Sequence, residues 1–200
     1  MNNRHFKGIV TRRNSRFWLA GLSCLLLVLG ACQAQSATNK PPVSGQTVWL
    51  TMISYNYTDH YIDNYSVNGA WGGNVFISDS DSGGSKDACC VRWVVGQPLP
   101  VKVHIRWESS ECLYTKRVDG QDFGRAKSFY SEKDIWLRGP ISTDPQYFET
   151  HFYPDGHVEV AITGDRSSPR LKLPANKNGL RPGARPWPRC TAEQLKQGEN

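Results

Sequence analysis

The chain lacks any apolar run long enough to cross a bilayer. The longest, Phe17 to Leu29, has 13 residues, where a spanning helix needs about 20. No CxxC pair is present, which removes the thioredoxin-like and zinc-ribbon readings. No GxSxG elbow, HExxH helix or phosphate-cradling glycine loop occurs, so the common hydrolase, zinc-protease and nucleotide-binding signatures are missing. Internal repeats and long helical spacing are absent too. The first 31 positions hold no acid, but they carry Arg4, Lys7, Arg12, Arg13 and Arg16. Beyond them 19 basic and 18 acidic side chains remain. The net charge of +6 therefore describes a leader rather than a nucleic-acid-binding surface.

The basic stretch 1–16, the apolar run and Leu29-Gly30-Ala31-Cys32 together form a bacterial lipobox pattern. Residues 1–31 are expected to be a lipoprotein signal, with Cys32 as the lipidated residue. Two or three acyl chains, at about 0.8 kcal/mol per buried methylene, give a lasting anchor. Gln33 follows where an aspartate would signal inner-membrane retention. The expected location is therefore the outer membrane, facing the periplasm. Residues 32–46 are polar, carry Pro41-Pro42 and read as a flexible tether.

An oxidising compartment fits the cysteines. Cys24 leaves with the signal, and Cys89, Cys90, Cys112 and Cys190 remain as an even set for two disulfides. Neighbours in a strand point to opposite faces. Cys89 and Cys90 are therefore expected to bond separately, one to Cys112 and the other to Cys190, in either order.

Residues 47–165 read as an all-β domain, an antiparallel sandwich of seven or eight strands. Thr47–Thr58, Asn74–Ser78, Cys89–Val95, Val101–Trp107, Gln146–Tyr153 and His157–Thr163 are the strand candidates. The third and fourth flank Gly96–Pro100 as a hairpin, and the last two flank Pro154-Asp155-Gly156 as another. Residues 116–140 read as polar and irregular, with a short strand at Ile135–Leu137. The tail, 166–200, has eight basic and two acidic groups against eleven and sixteen in 32–165. Five prolines deny it a central strand or a regular helix. It is expected to be an irregular strap over the acidic body, pinned by Cys190. It ends in a short helix, Thr191–Gln197, capped by Thr191.

No catalytic or metal constellation assembles from spacing, and no cofactor is expected. Asp79-x-Asp81-x-Gly83 begins like a calcium loop, but Cys90 stands where the closing glutamate should be. His151 and His157 flank the second turn without a third ligand, and Ser82 and Ser85 have no assignable base. The richer segment is Tyr55, Tyr57, Tyr61, Tyr65 and Trp71 with Asp59 and Asp63, and His60 is interleaved with them. Amphipathic aromatics with a polar rim favour protein interfaces, so these seven residues are the candidate partner-binding set.

Ser66-Val67-Asn68-Gly69, Gly72-Gly73-Asn74-Val75, Cys89-Cys90-Val91-Arg92-Trp93 and Pro100-Val101 through Trp107 resemble a family of bacterial lipoproteins. That family is catalogued as a domain of unknown function, and its members often lie beside type VI secretion phospholipase effectors. The resemblance spans roughly residues 45–165. It implies a non-enzymatic immunity protein that neutralises a phospholipase toxin reaching the periplasm. A structural or assembly lipoprotein of the envelope, and a lipid binder using the sandwich interior, are the alternative readings.

Overall fold

The computed structural model describes residues 41–174 and 180–197. The signal 1–31, Cys32 and most of the tether lie outside the described residues. Eight strands form two four-stranded sheets. The strands are β1 (Thr47–Asn56), β2 (Ile62–Val67), β3 (Ala70–Val75), β4 (Ala88–Val94), β5 (Val101–Val118), β6 (Gln121–Leu137), β7 (Tyr147–Phe152) and β8 (Val158–Thr163). One sheet runs β4-β1-β7-β8 and the other β3-β2-β5-β6. Every named pair is antiparallel except β1 and β7, which lie parallel in the middle of the first sheet.

The period-two pattern places the core between the sheets. Val103, Ile105 and Trp107 of β5 face inward with Tyr65 and Val67 of β2. They meet Leu50 and Met52 of β1, Val91 and Trp93 of β4, and Phe148 and Phe152 of β7. Phe152 is the central ring: Tyr65 meets it edge-on at 5.5 Å and Trp107 lies 5.9 Å away. Gly72 is required there, because a Cβ would fall 2.1 Å from the Tyr65 ring.

Three sequence expectations are corrected. The segment 116–140 is not irregular. It holds the end of β5 and all of β6, an 18- and a 17-residue strand paired from Val101–Leu137 to Val118–Gln121 with one bulge. Asp119 and Gly120 both take positive φ at its tip, the backbone of a tight two-residue hairpin turn. Second, Cys89–Val95 and Val101–Trp107 are not a hairpin. β4 pairs with β1 and β5 with β2 and β6, so Gly96–Pro100 carries the chain from one sheet to the other. Third, the disulfides are Cys112–Cys190 and Cys89–Cys90. A cis peptide joins the neighbours, with their Cα atoms 3.1 Å apart, so the opposite-face rule for an extended strand does not apply to them.

The strap expectation matches the described residues of the tail. Leu171 and Leu173 pack on Ile53, Tyr55 and Tyr57, the outward side chains of β1. Arg166 pairs with Asp87 and Arg170 with Glu159. Arg181 is only 9% exposed and gives its guanidinium to four carbonyl oxygens: Asn56, Thr58 and Ser78 at 3.2 Å and Pro174 at 3.4 Å. Further on, Leu113 N–H donates to Pro188 O and Cys190 N–H to Leu113 O, beside the Cys112–Cys190 bridge. A short helix, α1 (Ala192–Lys196), ends the described chain, and Thr191 and Gln194 form its capping box.

These fastenings predict measurable stability. Replacing Cys112 and Cys190 by alanine frees a 78-residue loop and should cost about 4–5 kcal/mol in chemical denaturation. Arg181→Met leaves buried carbonyls without donors and should cost about 2–4 kcal/mol. Losses below ~0.5 kcal/mol in both variants would show that the strap rests on the body without holding it.

Candidate functional site

The outward side chains Ile53 and Tyr55 of β1 and Glu149 and His151 of β7 lie under the strap, while Trp49 of β1 stays 66% exposed. Glu149 and His151 are fully buried there, with Tyr57, and Tyr55 is 3% exposed. Tyr55 stacks on His151 at 4.5 Å and 5°. Glu149 Oε1 accepts from Thr163 Oγ1 at 3.0 Å and from Ser167 N–H at 2.9 Å. Its Oε2 lies 3.4 Å from His151 Nε2, and His151 Nδ1 lies 3.2 Å from the Tyr57 hydroxyl. Arg170 N–H donates to Tyr57 Oη at 2.8 Å. These partners assign one direction to the chain: Tyr57 O–H donates to His151 Nδ1, and His151 Nε2–H donates to Glu149.

Protonation follows from these contacts. Burial pushes the His151 imidazole below its ordinary range, so it stays neutral. Burial works to raise Glu149, but hydrogen bonds from His151, Ser167 and Thr163 outweigh it and hold the carboxyl low. Burial, helped by the nearby Glu149, pushes Tyr55 up to about 12. The relay is satisfied and closed to solvent, so its role is to hold the strap rather than to meet a substrate.

The seven candidate interface residues divide between core and surface. Tyr55, Tyr57 and Tyr65 are buried and cannot be contact anchors, which corrects the expectation for them. Asp59, Asp63 and Trp71 are exposed, and Tyr61 is half-buried. The Tyr61 hydroxyl donates to Asp63 at 3.0 Å, and its ring packs 5.1 Å from that of Phe76, itself 52% exposed. Trp71 is 64% exposed on β3, the edge strand.

Tyr61 also lines a cavity of about 380 Å³ at one end of the sandwich. One wall carries His60 stacked on Trp187 of the strap at 3.8 Å, and the other carries Tyr153 stacked on His157 at 4.0 Å. Trp107 and Glu108 also line it, with Asp59. Glu108 is 4% exposed and its Oε2 has no hydrogen-bond partner. Burial, with Glu111 and Asp63 close by, pushes its carboxyl up to about 8. Sequence reading missed Glu108 and Trp187, and noted His60 only as a polar neighbour of the aromatic segment. Glu108 had one signal: it breaks the alternation that runs through Trp107, and a bulge follows it.

The remaining motifs do not assemble. Asp79 Oδ1 accepts from Asp81 N–H and Ser82 N–H, a self-capped turn. Among the described residues no group of three or more metal-ligating side chains comes together. His151 pairs across the hairpin with Glu159 rather than His157, and Ser85 Oγ accepts from Ser54 N–H.

Two buried groups shape the pH dependence with opposite signs. Glu108 titrates higher in the fold, about 8, than its ordinary 4.5, so it contributes stability as pH falls from 8 toward 4.5. His151 titrates lower than its ordinary 6.5, so the unfolded chain takes up that proton first and stability is lost below 6.5. Urea midpoints should therefore rise from pH 9 to 7 in the native protein but not in Glu108→Gln. Between pH 6.5 and 5 the two slopes oppose each other in the native protein, so His151→Gln should gain stability relative to it as pH falls. Parallel pH profiles for all three proteins would contradict these assignments.

No curated protein and no solved structure matches the chain. One family model does, "Protein of unknown function (DUF3304)", over residues 55–160, more than half of the 200 residues. The match runs from the end of β1 into β8, taking in the exposed aromatics, the cavity's body-side walls, the Asn68-Gly69 turn and the Gly72-Gly73 pair of β3. The chain therefore belongs to the DUF3304 family of proteins of unknown function.

Proposed function

We propose that the protein is a lipid-anchored, periplasm-facing immunity lipoprotein that binds and neutralises a secreted phospholipase of the type VI kind. The observation that carries this reading is a set of side chains on and beside β2 and β3: exposed Phe76 packed on half-buried Tyr61, with exposed Trp71, Asp59 and Asp63. Large rings rimmed by carboxylates are favoured anchors of tight interfaces. The lipobox at Leu29–Cys32 and the family's lipoprotein resemblance support the location. A tethered inhibitor shares the thin compartment of an enzyme that attacks bilayer lipid, which raises its effective concentration without further contacts. Inhibition needs no catalytic group, only about 800 Å² per partner placed over the lipase mouth or its membrane-docking face.

A second reading, an assembly lipoprotein of the envelope, is favoured by the β5–β6 ribbon. Its outer part exposes Leu113, Val118 and Phe123, and such a ribbon offers a second partner an extended surface.

The anchor is tested by Cys32→Ser, which should abolish acyl labelling and leave an uncleaved precursor. Normal outer-membrane fractionation of that variant would reject the lipoprotein reading. For the partner, cells receiving the neighbouring phospholipase in the periplasm should survive only when this protein is present and folded. Trp71→Ala should weaken binding of that lipase by roughly 2 kcal/mol, about thirtyfold, with an unchanged melting temperature. Tyr57→Ala should instead lower stability. A lipase that remains fully active in the presence of excess protein moves the assembly reading ahead.

A further inference from the structure

The cavity behind Tyr61 has features that a packing defect would not need. It is walled by two stacked ring pairs from different parts of the chain, His60–Trp187 and Tyr153–His157. The strap supplies Trp187, and His60 is held by a 2.7 Å contact from its Nε2 to Arg185 O. The carboxyl groups lining the cavity are Asp59 and Glu108, and among the described residues no lysine or arginine lines it. Glu108 keeps one carboxylate oxygen buried and without a partner. Asp63 and Glu111 add negative potential beside Glu108, and Asp155 and Glu159 lie 2.5 and 3.8 Å from the His157 ring. Of the strap cations, Arg181 is committed to backbone carbonyls and Arg170 to Glu159, and Arg185, whose carbonyl meets His60, is not among the lining residues.

Flat electron-rich faces beside carboxylates bind a cation, and a planar guanidinium can stack on the rings while donating to both acids. The volume falls at the small end of the range for ligand pockets, about 300–1,000 Å³, which suits one long side chain. A lipid headgroup fits less well. Its phosphate would sit among Asp59, Asp63 and Glu111 without a lysine or arginine among the described lining residues to receive it. We propose that this cavity is a socket for one basic side chain, an arginine above all, projecting from the protein partner. The proposal rests on the partner-binding reading above, and names the chemistry the partner must present.

Glu108 has a definite part in it. With the cavity empty, burial favours its protonated form. A guanidinium seated in the cavity beside the Glu108 carboxyl favours the carboxylate, so occupation releases the proton to solvent. Tyr61, Asp63 and Asn64 on the β2 side, Tyr130 on β6, and Glu111 with Arg106 on its own strand are the other groups that face or surround it. Arg106 packs over the Tyr130 ring at 3.8 Å.

The test uses the mature chain and two blocked tripeptides, acetyl-Gly-Arg-Gly-amide and its citrulline twin, which keeps the shape and loses the charge. The Trp107 and Trp187 indole N–H signals should shift saturably with the arginine peptide. The citrulline peptide should bind about tenfold more weakly or worse. Glu108→Gln and Asp59→Asn should each abolish most of the preference, with melting temperatures confirming the fold. Equal binding of the two peptides would overturn the proposal in favour of a neutral ligand. Absence of any shift, or binding to phosphatidylethanolamine vesicles in place of the peptide, would overturn it as well. Lipase inhibition that persists without arginine selectivity rejects the socket alone. Arginine selectivity in a protein that leaves the lipase active rejects the lipase reading alone.

Discussion

Everything distinctive in this molecule depends on how residues 166–190 are fastened. The strap's described part has no ladder with a neighbouring strand to hold it. It is held at separated points: carboxylates at Asp87 and Glu159, the buried fan of carbonyls around Arg181, and the Cys112–Cys190 bridge. Each fastening has a physical requirement of its own. Arg181 needs several carbonyl oxygens converging from different segments, and it gets them from the end of β1, the loop after β3 and the strap. In return the strap gives the body two things: a cover for the outer face of β1 and β7, and the Trp187 wall of the cavity.

The cover explains the buried relay. Without it, Glu149 and His151 would be ordinary outward-facing polar residues on a half-exposed sheet. Beneath it they must satisfy each other, and the directional chain through Tyr57 to the Arg170 amide does so. A buried ionised carboxylate is tolerable only when charge-assisted bonds replace its lost water. Glu149 meets that condition, with two donors on one oxygen and an imidazole beside the other. Glu108 does not. Its residue lines the cavity while one carboxyl oxygen stays buried without a partner, and that contrast between two buried glutamates separates a structural site from a receptive one.

How much of this was legible in the sequence varies with which faces of a strand are covered. β5 up to Trp107 alternates because one face meets the core and the other meets water, and it was readable at once. β1 does not alternate: Leu50 and Met52 face the core while Ile53, Tyr55 and Tyr57 face the strap. Its tyrosines looked like an interface because nothing local announces a cover from residues more than 110 positions away. The outer halves of β5 and β6 failed for the opposite reason. Both faces of that ribbon are largely exposed, so it carries no hydrophobic period, and only Asp119-Gly120 marks the turn. Asn68-Gly69 marks the β2–β3 turn in the same way, and both residues take positive φ. The cavity was the least legible feature, since its walls come from the loop after β1, the middle of β5, the β7–β8 turn and the strap.

The central claim is that the partner meets this protein at the cavity and the aromatic edge beside it. The most direct measurement is hydrogen–deuterium exchange on the mature protein, alone and with the neighbouring phospholipase in excess. The account predicts slowed exchange over residues 58–63, 71–76, 107–109 and 185–188, with the tip of the β5–β6 hairpin unchanged. Protection confined to that tip, or no protection anywhere, would contradict it.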